Sequence, residues 1–283
     1  MKRVQRIFLL GLVFVLLASL LGGCRATPKQ QTVPMLLYHH LAEQGSGESI
    51  LSIDKFRSHM ELLKQNGYQP IPLKALADFV DSGKDLPEKA VVITFDDGYY
   101  SNYQYAYPIL KEYQFPATIF TIGCSVGHME FYKDTHHAIT PHFGAAEIRE
   151  MCGSGLIEVQ SHTYDFHQWA PFEKSDTVRG CILPLEGESD ADYTAALTAD
   201  HQKNAALLEE CGAGTPFALA FPGGEWSQRA NEILTDAGIR ITVTTSSETV
   251  NTVTEGDPAS LLSLGRLYIT EATSDQTILE YLK

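Results

Sequence analysis

Two adjacent carboxylates followed by a glycine are the first residues of this chain suited to chemistry. They stand in the segment Thr94-Phe95-Asp96-Asp97-Gly98, at the end of an apolar run. Neighbouring carboxylates that leave a buried strand repel one another unless they share a cation or a proton. One aspartate can bind a metal ion while the other takes a proton from the water that the metal activates. Because Asp-Asp-Gly also occurs in ordinary turns, this interpretation needs a second motif.

A pair of histidines supplies the second motif. His162 and His167 follow another predicted strand, within the segment Ser-His-Thr-Tyr-Asp-Phe-His. Two imidazoles that leave a strand together can converge on one ion and, with one of the carboxylates, leave coordination positions open for water and substrate. This donor set suits zinc, and also cobalt, nickel or iron. A histidine pair alone is more often structural, and it is the combination of the two motifs that indicates a metal centre.

The elements that must position these motifs alternate between strand and helix patterns. The run 90–95 is rich in β-branched residues and has no polar alternation, which is typical of a parallel strand buried on both faces. Similar runs predict strands at 34–38, 117–122, 156–160, 217–221, 241–244 and 264–269, and helical patterns cover about 53–66, 73–80, 103–113, 145–152, 191–210, 228–236 and the segment from 275. This order predicts an α/β fold, a single (β/α) barrel that is seven- or eight-stranded and distorted or incompletely closed. Both motifs then lie at the carboxyl ends of strands, where such barrels collect their reactive residues.

The two motifs together resemble those of the polysaccharide deacetylase family, also called the NodB-homology group or carbohydrate esterase family 4. The resemblance covers nearly everything from 33 to 283. The step of five from His162 to His167, and an early strand that ends in Tyr38-His39, are similar to the poly-β-1,6-N-acetylglucosamine deacetylase branch. The resemblance implies a NodB-like barrel and a metal-dependent hydrolase that removes N-acetyl groups from N-acetylglucosamine units of an extracellular or cell-wall polysaccharide.

The resemblance also implies a role for each motif residue. By position, Asp96 is the general base, and the metal ligands are Asp97, His162 and His167. A bound cation, zinc first among the candidates, would lower the pKa of a water molecule and polarise the acetamide carbonyl. The backbone N–H of Tyr99 is a candidate donor to the oxyanion that forms.

The sequence departs from the usual family pattern at the general acid. Most members place this acid in a C-terminal Leu-x-His, but no histidine follows His201 here. Leu37-Tyr38-His39 has the same form at the other end of the domain. Since the first and last strands of a closed barrel are neighbours, we predict His39 as the general acid. The alternative is that His39 and His40 only cap the first strand.

A second departure concerns an arginine. The third family motif, usually Arg-x-Pro, corresponds to the Ala-Phe-Pro-Gly-Gly segment that begins at Ala220, so the arginine that normally pairs with the base is absent from it. Pro222 and Gly223 of this segment are predicted to line the substrate site. Loss of a cation beside Asp96 would let its pKa rise. Arg266, on the last predicted strand, is the candidate replacement if its guanidinium reaches inward.

The N-terminal segment has the features of a bacterial lipoprotein signal. Basic residues precede an apolar stretch over 7–21, which is shorter than the roughly 20 residues of a spanning helix. The following Leu-Gly-Gly-Cys resembles a lipobox, which implies cleavage before Cys24 and a lipid on its sulfur. An ordinary secretory signal, and hence a secreted protein, is the alternative. The predicted organisation is a signal peptide at 1–23, a lipidated cysteine and tether at 24–33, and the deacetylase domain at 34–283.

The net charge limits the possible binding partners, and the cysteines bear on disulfide formation. The formal net charge of −14 argues against nucleic acid and anionic membrane surfaces as partners. The expected partners are an N-acetylated polysaccharide and, through the lipid on Cys24, an extracytoplasmic membrane face, and the chain is expected to be monomeric. Disulfides are permitted in that compartment, but the spacing of the cysteines after Cys24 selects no pairing, and free thiols are an equal alternative.

Other functions stay open at the level of sequence. The same machinery would serve peptidoglycan, chitin-like oligomers or O-acetylated xylan. The missing arginine is also compatible with a catalytically weak or silent glycan-binding protein. A third alternative, a metal-storing or sensing lipoprotein, depends on the four histidines of one predicted loop, His128, His136, His137 and His142.

Overall fold

The computed structural model describes residues 27–133, 135–175, 177–246 and 250–283. The predicted signal peptide and Cys24 lie outside these residues. None of the helices in the described ranges is long and apolar enough to cross a membrane. The strands are β1 (Gln30–Val33), β2 (Met35–Tyr38), β3 (His40–Ala42), β4 (Ile50–Ser52), β5 (Gln69–Pro70), β6 (Ala90–Phe95), β7 (Ala117–Thr121), β8 (Ile157–Ser161), β9 (Ala218–Ala220), β10 (Ile241–Val243), β11 (Asn251–Thr254) and β12 (Leu267–Tyr268). The helices are α1 (Ile53–Gln65), α2 (Lys74–Ser82), α3 (Tyr107–Tyr113, preceded by a π-helical turn at Asn102–Ala106), α4 (Ala145–Gly153), α5 (Asp190–Glu210), α6 (Gln228–Asp236) and α7 (Asp275–Tyr281).

The central sheet is parallel and curls into a half-barrel. Its order is β10-β9-β8-β7-β6-β2-β12, and the short β5 pairs with the start of β6. The first and last strands of this barrel, β2 and β12, are therefore neighbours, as predicted. The extended segment 264–266, which leads into β12, hydrogen bonds to the other edge of the sheet: the Leu264 N–H donates to the Thr242 carbonyl at 2.8 Å, and the Arg266 N–H to that of Ser246 at 2.9 Å. The predicted (β/α) barrel is confirmed.

Strand β6 shows why these runs form buried parallel strands. Every residue of β6 is buried. Val91, Ile93 and Phe95 pack in one apolar cluster with Phe56 of α1. Val92, on the opposite face, belongs to a second cluster. Each fully buried side chain of this size stabilises the fold by about 1.5–3 kcal/mol, which holds the strand ends, and hence the motifs, in place.

Two expectations about the chain away from the motifs can be compared with the structure. Residues 30–33, assigned from the sequence to the tether, form β1 and pair antiparallel with β11, so the folded region begins before residue 34. Only Val33 of this strand is buried, which explains why a polar edge strand resembled a tether. The four cysteines after the predicted lipidation site, Cys124, Cys152, Cys181 and Cys211, are free thiols.

Candidate active site and metal centre

The two aspartates leave β6 through a tight left-handed turn. Asp97 has a φ of 70° and Gly98 one of 79°. An added Cβ at Gly98 would overlap the side chain of Thr121, so the position needs a glycine. A positive φ at an aspartate is uncommon and costs free energy. The turn directs both carboxylates into the buried centre of the barrel, where Asp96 is 2% exposed and Asp97 is 9% exposed.

The two histidines bring their Nε2 atoms to Asp97. His162 Nε2 lies 3.5 Å from Asp97 Oδ1, and His167 Nε2 lies 3.6 Å from the same oxygen. His162 Nδ1 lies 2.8 Å from the carbonyl oxygen of Ala220. A carbonyl only accepts, so Nδ1 carries the proton and Nε2 of the neutral ring keeps a lone pair for a ligand bond. The third-motif strand β9 thus orients a residue of the second motif.

These three residues fit a divalent cation. One potential ligand atom from each of Asp97, His162 and His167 lies within 4.8 Å of the others. Asp97 Oδ1 is buried and has no hydrogen-bond partner among the residues that the structure describes. Burial lowers the pKa of His162, but the charges of Asp96 and Asp97 outweigh it and raise this pKa above its ordinary value. The local field therefore favours a positive charge at this point, and the donor types are those that zinc and related ions prefer.

Helix α5 holds the segment that carries the histidines. The carboxylate of Asp200 accepts the backbone N–H groups of Tyr164 at 2.8 Å and Asp165 at 2.7 Å. One turn later, the Asn204 amide donates to the carbonyl of Thr163 at 3.1 Å. Thr163 has a φ of 66°, so this backbone needs external support. Burial raises the pKa of Asp200 to about 6, although both N–H groups oppose that shift.

Asp96 is paired with an arginine from the far end of the chain. Arg266 Nη1 lies 2.7 Å from Asp96 Oδ1, and Nη2 lies 2.7 Å from Oδ2. The pair is buried on both sides, with Arg266 0% exposed. Burial raises the pKa of Asp96, but the charge and hydrogen bonds of Arg266, with His162, bring it below the ordinary value of an aspartate. The hypothesis that the guanidinium of Arg266 reaches inward is confirmed by this contact.

His39 lies beside the carboxylates at the end of β2. The Asp96 N–H donates to the carbonyl of Tyr38 at 3.0 Å, which brings the residue after Tyr38 next to Asp96. The His39 ring lies 4.8 Å from the ring of Tyr268 on β12, and the Asn102 amide donates to the His39 carbonyl at 2.7 Å. Burial lowers the pKa of His39, against the charges of both aspartates.

The remaining predicted site residues surround this centre. Within the described part of the chain, the backbone N–H of Tyr99 has no hydrogen-bond acceptor, as an oxyanion donor requires. The Tyr99 ring lies between His40, at 5.3 Å, and His142, at 5.0 Å. Pro222 is buried and Gly223 is exposed in the turn that follows β9, the strand next to β8. Whether these two contact substrate stays a prediction.

The four loop histidines on which the metal-storage alternative depends form no group with metal-ligand geometry in the described part of the chain. Among the described residues, Asp97, His162 and His167 are the one group with metal-ligand geometry. His142 is buried and packs on Tyr99, whereas His137 stacks on Phe172. The metal-storage alternative therefore has no support in this loop.

Several residues of the site were missed from sequence. Asp200, Asn204, Asn102 and Tyr268 carry no motif of their own. A signal did exist for α5, because Asp200 and Asn204 fall at positions of the buried stripe formed by Tyr193, Leu197 and Leu208. A small polar residue inside an apolar helical stripe needs a buried hydrogen-bond partner, and here that partner is the ligand segment.

A parallel barrel with two imidazoles, a ligand carboxylate and a separate buried carboxylate has the parts of a metal-assisted hydrolase. The model of the polysaccharide deacetylase family matches residues 83–242, and the chain belongs to this family. The resemblance drawn from the two motifs is therefore confirmed.

Three similar proteins illustrate the relationship. YxkH of Bacillus subtilis (strain 168) is 41% identical over 140 residues, which are 49% of this chain and 45% of YxkH. Poly-beta-1,6-N-acetyl-D-glucosamine N-deacetylase of Escherichia coli (strain K12) is 28% identical over 231 residues, 76% of this chain and 34% of that enzyme. The structure of IcaB from Ammonifex degensii superimposes with a TM-score of 0.71 and 25% identity, over 89% of this chain and 97% of IcaB. The chain thus spans less than half the length of the first two relatives.

Proposed function

We propose that this chain is a metal-dependent N-deacetylase of an extracellular or cell-wall polysaccharide, with poly-β-1,6-N-acetylglucosamine as its substrate class. The observation that carries the proposal is the ligand set of Asp97, His162 and His167 beside the buried Asp96–Arg266 pair. Family membership and the name of the Escherichia coli relative support the choice of substrate. The five-residue step between the two histidines supports it from the sequence.

The three ligand residues would hold the cation, with zinc as the first candidate and cobalt, nickel or iron as alternatives. A divalent cation bound there supplies Lewis acidity, which lowers the pKa of a water molecule and polarises the acetamide carbonyl. His162 is oriented for metal binding, because its Nδ1–H donates a hydrogen bond to the Ala220 carbonyl and leaves Nε2 free to bind the cation. The α5 contacts keep the ligand segment in its strained conformation.

Different residues around the ligand set carry out the separate proton transfers. Asp96, kept ionised by Arg266, takes a proton from the attacking water. The N–H of Tyr99 donates to the oxygen that gains negative charge as the carbonyl carbon becomes tetrahedral. His39, which lies beside Asp96 at the end of β2, gives a proton to the nitrogen as the C–N bond breaks. The products are acetate and a glucosamine unit that remains in the polymer.

We also propose the extracytoplasmic placement expected from the sequence. A signal peptide at 1–23, lipid attachment at Cys24 and a monomeric enzyme domain would hold the site near a membrane that faces the polymer. Incorporation of a labelled fatty acid into the full chain, lost in Cys24→Ser, tests the anchor. A chain that is released without lipid would contradict it and favour a secreted enzyme.

The activity is tested by acetate release from metal-reconstituted protein. Poly-β-1,6-N-acetylglucosamine, peptidoglycan and O-acetylated xylan are offered in parallel, with Asp96→Asn as the matched control. We expect release from the first polymer, loss of release after chelation, and a loss of at least about a hundredfold in Asp96→Asn. Release from another polymer alone would change the substrate, and no release from any of them would favour a silent glycan-binding protein.

A further inference from the structure

An exposed indole lies on the loop that carries the candidate metal ligand His167. The chain has two tryptophans, and both are exposed, Trp169 by 62% and Trp226 by 47%. A single exposed aromatic side chain is common on protein surfaces, whereas one that follows a metal ligand on the same loop is suited to contact a ligand. Trp169 lies two residues after the metal ligand His167, on the same loop. The loop thus joins a ligand to an exposed aromatic surface.

Other aromatic rings hold this indole in place. The ring of Phe172 meets Trp169 edge-on, with centroids 4.7 Å apart and planes at 60°. Phe172 in turn stacks on His137, with centroids 4.7 Å apart and planes at 10°. Phe172 also packs on a buried cluster of Ile122, Cys124 and Tyr132. One side of the Trp169 ring therefore packs on Phe172, while most of its surface is exposed to solvent.

The fold places this support beside the site. Ile122 and Cys124 directly follow β7, and the loop of Trp169 follows β8. The cluster that contacts Phe172 and the loop of Trp169 therefore lie at the carboxyl ends of two neighbouring strands. The strand β6, which carries the aspartates, pairs with β7 on its other side. Toward β12, the ring of Tyr268 lies 4.8 Å from that of His39, with the two planes tilted by 41°. In the strand order, the ligand set therefore lies between Tyr268, on β12, and the loop of Trp169, which follows β8.

We propose that Trp169 is the platform of a glycan subsite, and that it binds the pyranose ring adjacent to the unit being deacetylated. The proposal rests on the proposed function, because it assumes that a polymer crosses the metal centre. A pyranose with equatorial hydroxyls has an apolar face of C–H groups, which packs on an aromatic face while the hydroxyls remain in water. The net charge of −14 is compatible with an uncharged sugar and unfavourable for an anionic one.

The test compares substrates of two lengths. The variants are Trp169→Ala, Trp169→Phe and, as the matched control, Trp226→Ala, which removes the other exposed indole. The substrates are the β-1,6-linked pentamer of N-acetylglucosamine and its methyl monosaccharide glycoside. We expect the preference for the pentamer, as a ratio of kcat/KM values, to fall about tenfold in Trp169→Ala, mainly through KM. Trp169→Phe should restore most of it, and Trp226→Ala should leave it intact.

Two results would overturn the subsite. One is an unchanged preference in Trp169→Ala, and the other is an equal loss on both substrates, which indicates disturbance of the centre itself. Binding of the pentamer by calorimetry to Asp96→Asn, with and without Trp169→Ala, separates this proposal from the activity. Weaker binding without Trp169 supports the subsite even if no acetate is released, whereas equal binding, or none to either protein, overturns it.

Discussion

Arg266 donates two parallel hydrogen bonds of 2.7 Å to the carboxylate of Asp96, although 170 positions separate the two residues in the sequence. A bidentate guanidinium is among the strongest partners of a carboxylate. Since the third-motif arginine is Ala220 here, the cation beside the candidate base comes instead from Arg266, in the segment that leads into β12. Arg266 thus places a positive charge beside Asp96.

Replacement of Arg266 should move the acidic limb of the pH–rate profile. Without the guanidinium, the pKa of Asp96 rises because burial then dominates, so the base becomes protonated at a higher pH than before. We expect the acidic limb of kcat/KM to shift upward in Arg266→Ala, with a loss of stability of about 3–5 kcal/mol from an unpaired buried carboxylate. Arg266→Lys keeps the charge and should show a smaller shift. An unchanged limb in both variants would contradict the pairing as a catalytic device.

Asp200 should control metal affinity without touching the metal. Asp200→Asn replaces one acceptor oxygen by an amide NH2 that faces a backbone N–H, which loosens the segment between His162 and His167. Changes of this kind behind metal ligands weaken binding by about 10- to 100-fold. Competition with a chromogenic zinc chelator measures the dissociation constant. Gln202→Ala, an exposed change on the same helix, is the control, and equal affinities in the two variants would refute the role.

His39 is expected to act in catalysis but not in metal binding. His39→Gln removes the proton donor while it keeps a polar side chain against Tyr268. We expect kcat to fall by about 100- to 10,000-fold, with loss of the basic limb of the pH profile. Metal content, measured by elemental analysis, should stay at the wild-type ratio. If the variant keeps the basic limb, His39 is not the general acid and only caps the strand.

A buried histidine of α1, which has no role in the proposed reaction, should make the fold sensitive to acid. Burial lowers the pKa of His59 from 6.5 to about 4. Between these two pH values His59 is protonated in the unfolded chain but neutral in the folded chain. The free energy of unfolding therefore falls as the pH drops from about 6.5 to about 4. The total loss is about 3 kcal/mol at 1.36 kcal/mol per unit. Urea unfolding at several pH values should show this slope, and His59→Gln should reduce it.

The local pattern predicted most elements well. The short strands β1, β3, β4, β5 and β11 have no counterpart among the predicted strands, whereas β6 and α6 have the predicted bounds. The remaining strands of the barrel differ from the prediction by one residue at one or both ends, apart from β12. These elements depend on runs of apolar residues and on the residues that end them, which are visible within a short window. The strand β12 covers only Leu267–Tyr268 of the predicted 264–269, because residues 264–266 turn their hydrogen bonds toward the β10 side instead.

The sequence by itself determined the family, the barrel and the three residues with metal-ligand geometry, since all three follow strands at fixed short distances. Only the tertiary structure decided what surrounds them. Arg266 lies in the extended segment between the two edges of the sheet, where its N–H donates to the Ser246 carbonyl and the next residues pair with β2 as β12, and this placement brings its guanidinium to Asp96. The contacts of Asp200 with the ligand segment likewise depend on how α5 packs on β8. Such long-range pairings follow from strand register and helix packing, which no short stretch of sequence contains.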